Sequence, residues 1–273
     1  MRSLNRFVEM KRAGEKIAML TAYDAPQARA QAQAGVDVIL VGDSVGVNIL
    51  GYASEREVTL ADMAHHTRAA RRGAPDTFII ADMPFATYDT PEQAVASAKF
   101  LQQAGADAVK FEGAYPELVH VLGTAGIPVC GHLGYEPQHC ERRVHGKTFE
   151  EASRIFADAK ALDAAGVFML VIELAPAELA GAVTRAIKAP TIGIGAGPAT
   201  DGQVLVFPDV LGYMEKNFRH NRRYAEVGAT MREAAAHYAQ DVRCGAFPTL
   251  ANCASMPADV LAQFETEILE KQC

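Results

Sequence analysis

The chain has 273 residues, close to half of them hydrophobic, which is enough for one large α/β barrel or two ordinary domains. A net charge of -7 with no long basic run excludes a nucleic-acid footprint, and no apolar stretch is long enough to span a membrane. The first sixteen residues, MRSLNRFVEMKRAGEK, are charged and amphipathic without an apolar signal core, and the five cysteines (130, 140, 244, 253 and 273) are scattered rather than paired. Both features point to reduced thiols and a cytoplasmic protein.

Residues 4–13 read as a short helix before a first strand at 16–22. Asp24, just before Ala25-Pro26, is the expected N-cap of a helix running to Ala34-Gly35. The strand that follows, 36–42, is a near-continuous run of Val, Ile and Leu, as in a parallel strand covered on both faces. Thr59-Leu60-Ala61-Asp62 and Thr90-Pro91-Glu92-Gln93 have capping-box spacing, the second with Pro at the first helical position. The first opens a helix ending near Gly73, and the second places Ala94, Ala98 and Leu101 on one apolar stripe. Ala-Gly pairs at 34–35, 104–105, 125–126 and 165–166 each precede a candidate strand, where glycine commonly ends a helix. Further strands are expected at 77–81, 107–111, 128–133, 167–172, 191–195 and 204–207. Eight strands mostly alternating with helices predict a single-domain (β/α)₈ TIM barrel over 1–273, with a helical, charged tail from about 213 and an added terminal helix at about 254–273.

Several of these apolar strands stop on charged or polar residues. Asp43 and Ser44 end VDVILVGDS, Asp82 ends FIIAD, Lys110 and Glu112 end DAVKFEG, His132 lies in VCGHL, and Glu173 ends FMLVIE. Such ends are costly to bury unless paired or metal-bound, and barrel active sites sit at the C-terminal ends of the strands. Hard oxygen donors with few imidazoles suit Mg²⁺ better than Zn²⁺, and one or two carboxylates suffice for it. A lysine amid acids suits a substrate carboxylate, and a glutamate on a separate strand suits a general base. Plainer readings accompany these: Lys110 paired with a neighbouring acid, His132 a hydrogen-bonded core residue, Tyr23 packing alone, and Asp24 and Asp62 as helix caps. Cys130, His132, His139, Cys140 and His145 match no standard zinc spacing. The stretch TIGIGAG at 191–197 lacks both Walker A and dinucleotide fingerprints and reads as a close-packed turn at the mouth. His65 and His66 fall mid-helix without an assigned role. From the residues alone the reading is a Mg²⁺-dependent barrel enzyme acting on a small acid through an enolate.

The motifs MLTAYDAP (19–26), VGDSVG (41–46), VTLADMAHHTRAARRGAP (58–75), ADMPF (81–85), VKFEG (109–113), PVCGHLGYEPQ (128–138), IELAPAELA (172–180) and IGIGAGPATDGQVLV (192–206) together resemble the ketopantoate hydroxymethyltransferase family. The resemblance implies a phosphoenolpyruvate/pyruvate-type barrel that makes 2-dehydropantoate from 3-methyl-2-oxobutanoate, in pantothenate synthesis, with 5,10-methylenetetrahydrofolate as one-carbon donor. It implies Asp43, Asp82 and Glu112 at a Mg²⁺ ion, which would chelate the oxo acid through its carboxylate and ketone oxygens. It implies Ser44 and Lys110 on the oxo-acid carboxylate, His132 near the incoming hydroxymethyl group, and Glu173 as the base. A homo-oligomer follows from the same resemblance.

The chain departs from the family pattern in loops on one face: 51–59, 139–146 (shortened, reading RRVHG at 142–146) and 208–223, where Pro208 replaces a usual His. These bear on which oxo acid and which donor are used. The alternatives are a hydroxymethyltransferase or C–C lyase on another 2-oxo acid and a non-catalytic paralogue. The related mutase and lyase barrels carry a reactive Cys in a characteristic loop, a context that Cys140 lacks.

Overall fold

Runs of Val, Ile and Leu bounded by glycine-ended helices form eight parallel strands that pair in sequence order and close on themselves. They are β1 (Ile17–Thr21), β2 (Val38–Val41), β3 (Phe78–Asp82), β4 (Ala108–Lys110), β5 (Val129–Gly134), β6 (Met169–Glu173), β7 (Thr191–Ile194) and β8 (Gly202–Leu205). Closure is the pairing of Ile17–Leu20 with Gly202–Leu205. The computed structural model describes residues 3–214 and 218–269. Helices α1 (Leu4–Ala13), α2 (Ala25–Gln33), α3 (Leu60–Gly73), α4 (Pro91–Ala104), α5 (Pro116–Thr124), α6 (Phe149–Ala165), α7 (Ala177–Ala186) and α8 (Phe207–Val210) accompany the barrel.

The expected starts and stops are observed. The Asp24 carboxylate accepts from Gln27 N at 2.7 Å, and Thr59 and Asp62 form a reciprocal capping box. Gly35, Gly105, Gly126 and Gly166 all have positive φ. The second box is only half formed: Thr90 accepts from Gln93 N, but the Gln93 carboxamide turns instead to Asp89 N and Ala86 O. The last strand begins two residues earlier than expected, at Gly202, which pairs with Ile17 of β1 and Ile192 of β7, and it ends at Leu205, before α8 starts at Phe207.

Two apolar layers follow from the strand period of two. Outward residues such as Ile39, Val41, Ile79, Val109, Leu170 and Ile172 pack under the helices. Inward residues, among them Val38, Leu40, Phe78, Ile80, Cys130, Met169, Val171 and Ile192, fill the barrel. Phe7 and Met10 of α1 join this inner cluster. The Phe7 ring meets Phe78, the first residue of β3, edge-on at 5.2 Å, so α1 plugs the N-terminal end. The opposite end is left for the site.

The crossover from β7 to β8 contains no helix; residues 195–201 make it alone. This is the glycine-rich stretch, and its role is close packing. A Cβ at Gly197, whose φ is +81°, would sit 2.4 Å from the Ala177 side chain. A second compact unit spans 225–273 and holds α9 (Val227–Cys244) and α10 (Ala258–Phe264), which continues as a wider turn over Glu265–Leu269. Residues 270–273, with Cys273, lie outside the described residues. Among the described residues no helix is long and apolar enough to cross a membrane.

Candidate active site

The inward ladder of the strands changes from apolar to ionisable in its last layer. Phe78 and Ile80 lead to Asp82, Ala108 to Lys110, Cys130 to His132, and Met169 and Val171 to Glu173. Glu112 continues the parity of Lys110 just beyond β4. Asp43 breaks it: after Val41 the chain turns at Gly42, where a Cβ would come within 2.9 Å of Ser44 Oγ and 3.5 Å of Asp82 Oδ2. The turn lets the Asp43 N–H donate to Asp82 Oδ2 at 3.1 Å.

All seven residues expected at the site line one cavity of about 180 Å³ at the C-terminal end of the barrel. Leu40, Val171, Ile194 and Val204 give it an apolar floor. On one side lie Asp43, Asp82 and Glu112, all buried. The Lys110 ammonium is 3.0 Å from Asp82 Oδ1 and 3.4 Å from His132 Nδ1. On the far side of His132, its Nε2 is 3.4 Å from Glu173 Oε2, while its Nδ1 is 3.7 Å from Glu112 Oε1. Gly134 permits this proximity of β5 and β6. Its φ is +103°, and a Cβ there would lie 2.1 Å from the Glu173 carbonyl oxygen.

The electrostatics follow from this burial. Burial opposes the Lys110 charge, but Asp82, then Asp43 and Glu112, outweigh it and hold its pKa above the ordinary value. Burial and then the Lys110 charge push His132 well below its ordinary value, so the ring is neutral between its two carboxylates. Lys110 donates to Nδ1, which leaves the ring proton on Nε2, facing Glu173. Burial raises Asp82 and Glu112, each also lifted by Asp43. Glu173 stands apart from the acidic trio. Burial pushes its pKa up to about 7, against the pull of Lys110, Arg142 and His220.

The site residues reading did not find are those that hold or rim this group. Gln138 donates its backbone N–H to Glu112 Oε2 at 2.8 Å and its amide to Asp43 Oδ2 at 2.6 Å. Tyr23, read as packing alone, is buried in the core but also shares a hydrogen bond of 2.9 Å between its hydroxyl and Ser44 Oγ. His66 Nδ1 lies 2.6 Å from the Tyr23 carbonyl oxygen and braces that turn. Glu55, Tyr135, Arg142, Asp209, Phe218 and His220 rim the mouth, all from the three loops that depart from the family pattern or beside them. The Arg142 guanidinium stacks 3.8 Å over the Phe218 ring.

The donor chemistry fits a hard cation. Three buried carboxylates, Asp43, Asp82 and Glu112, gather around the single positive charge of Lys110, which lies 3.0 Å from Asp82 Oδ1, and burial together with the Asp43 charge raises the pKa of both Asp82 and Glu112. Among the described residues no three His, Cys, Asp or Glu side chains close on one point. A cation here therefore needs water or substrate oxygens as well, which is how Mg²⁺ is usually held. The Cys/His group forms no such cage either. Cys130 is buried inside the barrel, and Cys140 and His145 pair with each other in the loop at 3.5 Å.

A sequence model of a family described as ketopantoate hydroxymethyltransferase matches residues 2–250. Proteins named 3-methyl-2-oxobutanoate hydroxymethyltransferase are 48% identical in Shouchella clausii (91% of this chain, 92% of that one) and 49% identical in Thermus thermophilus (86% and 93%). One from Dehalococcoides mccartyi is 45% identical over 98% of this chain and 99% of its own length. Among solved structures, phosphonopyruvate hydrolase in complex with oxalate and Mg++ superposes with a TM-score of 0.60 at 12% identity, covering 98% and 99% of the two chains. A 2,3-dimethylmalate lyase of the PEP mutase/isocitrate lyase superfamily gives 0.59 at 16% identity, covering 98% of each. At these identities the structural likeness establishes the shared barrel fold.

Proposed function

The chain belongs to the ketopantoate hydroxymethyltransferase family and is an enzyme of that class, and from this premise we propose how its site works: it converts 3-methyl-2-oxobutanoate to 2-dehydropantoate, with Mg²⁺ as cofactor and 5,10-methylenetetrahydrofolate as donor. The observation that carries the mechanism is the division of the acids. A trio (Asp43, Asp82, Glu112) surrounds Lys110, and a lone carboxylate, Glu173, faces it across a neutral His132.

Asp43 and Asp82 hold the cation, with Glu112 completing or bracing the set. When bound, Mg²⁺ supplies Lewis acidity that stabilises negative charge growing on the substrate's ketone oxygen. Lys110 and Ser44 bind the oxo-acid carboxylate, and the apolar floor of Leu40, Val171, Ile194 and Val204 receives its branched end. This orientation turns the proton beside the ketone toward Glu173, whose carboxylate removes it. The resulting carbon nucleophile attacks the donor's methylene carbon. That carbon is bonded to two folate nitrogens, and both C–N bonds break, one replaced by the new C–C bond and the other by the hydroxyl from water; the proton taken from C3 and the second proton of the water go to the two nitrogens. His132, with its proton on Nε2, stays next to the incoming group and orients Glu173. The free, scattered thiols of Cys130, Cys140, Cys244 and Cys253 accord with a cytoplasmic enzyme, and the family supports a homo-oligomer. A cysteine-dependent lyase has less support: Cys140 is outside the cavity lining, and burial raises its pKa.

The test is product formation with the donor named. Purified protein, Mg²⁺, 3-methyl-2-oxobutanoate and ¹³C-methylene-labelled tetrahydrofolate should give 2-dehydropantoate carrying the label. Unlabelled or absent product, with proton exchange intact, would move the proposal to another donor.

The base must be deprotonated to act. Exchange of the substrate's C3 proton should therefore rise as pH passes through about 7 and level off above it. The groups facing Glu173 are His132 from β5, Lys110 from β4, Arg142 and Glu55 from the loops, and His220. His132 is neutral throughout this range. A rate that stays flat from pH 5.5 to 8.5 would remove Glu173 from this role.

A further inference from the structure

Gln138 is buried, and every polar atom of its side chain is engaged. Its two amide protons go to Asp43 Oδ2 (2.6 Å) and to the Met83 carbonyl (3.1 Å). Its Oε1 accepts from the Tyr88 hydroxyl at 2.6 Å. With both neighbours on the nitrogen side being pure acceptors, the amide can face only one way. The Tyr88 proton is thereby committed to Gln138, so the His139 Nε2 atom, 3.0 Å from the same hydroxyl, is the donor of that pair. The donors run in one direction, from His139 to Tyr88 to Gln138, and end on Asp43. The Gln138 backbone N–H meanwhile holds Glu112 Oε2. A single residue on the loop after β5 thus fixes one oxygen of each of two carboxylates carried by the loops after β2 and β4.

We propose that Gln138 is a positioning residue for the divalent cation: it sets the Asp43 and Glu112 carboxylates for binding, and Tyr88 locks its amide in the orientation this requires. The inference rests on the cation-site reading given above. Without the amide, Asp43 loses the bond that orients it and regains rotamer freedom. Partners of metal-binding groups that fix orientation in this way typically contribute 10–100-fold to metal affinity. The competing explanation is a loop anchor, in which Gln138 matters only for holding residues 135–140 against the barrel.

The experiment separates the two. Mn²⁺ binding to the full chain is measured by electron paramagnetic resonance, without substrate, alongside thermal unfolding in EDTA. Gln138→Met keeps the unbranched stem and the backbone N–H to Glu112 and removes only the amide. It should unfold cooperatively yet bind Mn²⁺ about 10–100-fold more weakly. Tyr88→Phe leaves Gln138 in place but unlocks it, and should weaken Mn²⁺ in the same direction by a smaller factor. A folded Gln138→Met protein with wild-type Mn²⁺ affinity would overturn the proposal. If that variant fails to fold, Tyr88→Phe decides, and unchanged affinity there overturns it equally. Absence of Mn²⁺ binding by the wild-type protein would sink the cation-site reading itself, and this inference with it.

Discussion

Glu173→Gln is expected to slow exchange of the C3 proton of 3-methyl-2-oxobutanoate by about 10²–10⁴-fold, the usual contribution of a positioned base, while leaving cation and oxo-acid binding intact. The substitution is nearly isosteric and keeps an oxygen acceptor facing His132 Nε2, which lies 3.4 Å from Glu173 Oε2, so the arrangement of the cavity survives. What disappears is the carboxylate that faces Lys110 across His132, apart from the acidic trio, and whose pKa burial pushes up to about 7. The measurement is proton NMR in D₂O on both proteins, with Mn²⁺ binding as the control. If exchange persists at the wild-type rate, another group is the base.

Asp43→Ala is expected to abolish cation binding and proton exchange together. Asp43 is buried beside Asp82, its N–H donates to the Asp82 carboxylate, and Gln138 orients its side chain. Removing it takes away an oxygen ligand of the cation and leaves the Gln138 amide with one of its two acceptors, the Met83 carbonyl. Isothermal titration with Mg²⁺ reads the first effect directly. Wild-type Mg²⁺ affinity in a folded Asp43→Ala protein would place the cation elsewhere.

Glu173 was legible in the chain for a simple reason, whereas Asp43, off the inward register, was legible as the polar stop of VDVILVGDS. In a parallel strand alternate residues face inward, so Phe78-Ile80-Asp82 and Met169-Val171-Glu173 each report a ladder that turns ionisable at the top. The Ala-Gly pairs ending helices made the repeat of the barrel readable in the same local way. Gln138 was opaque because its meaning lies in contacts with Asp43, 95 residues away, and Glu112, 26 residues away. Its place at the end of the PVCGHLGYEPQ motif ties it to the family pattern but says nothing of these contacts. Tyr23 was half legible: its ring packs as an aromatic should, but its bond to Ser44 depends on how two separate strand ends meet. The turn between β7 and β8 was legible too: TIGIGAG lacks the phosphate fingerprints and reads as close packing, which Gly197 against Ala177 shows.

The loops that depart from the family pattern surround this buried set without entering it. Arg142, Phe218 and His220 belong to the rim, whereas Asp82, Lys110, His132 and Glu173 come from the barrel strands themselves. Rigid strands hold the groups assigned to proton removal, and the rim contacts whatever part of the substrates projects outward. On the proposed mechanism, changes in the rim should act on affinity for the donor and the oxo acid more than on the chemistry beneath.

The most direct test of the account is proton exchange without the donor. The protein is incubated with Mg²⁺ and 3-methyl-2-oxobutanoate in D₂O, with no folate present, and the C3 proton is followed by NMR. Enzyme-dependent loss of that signal is expected, abolished by EDTA and slowed by about 10²–10⁴-fold in Glu173→Gln. A C3 proton that persists at the uncatalysed rate, with Mg²⁺ and the oxo acid both shown to be bound, would contradict it.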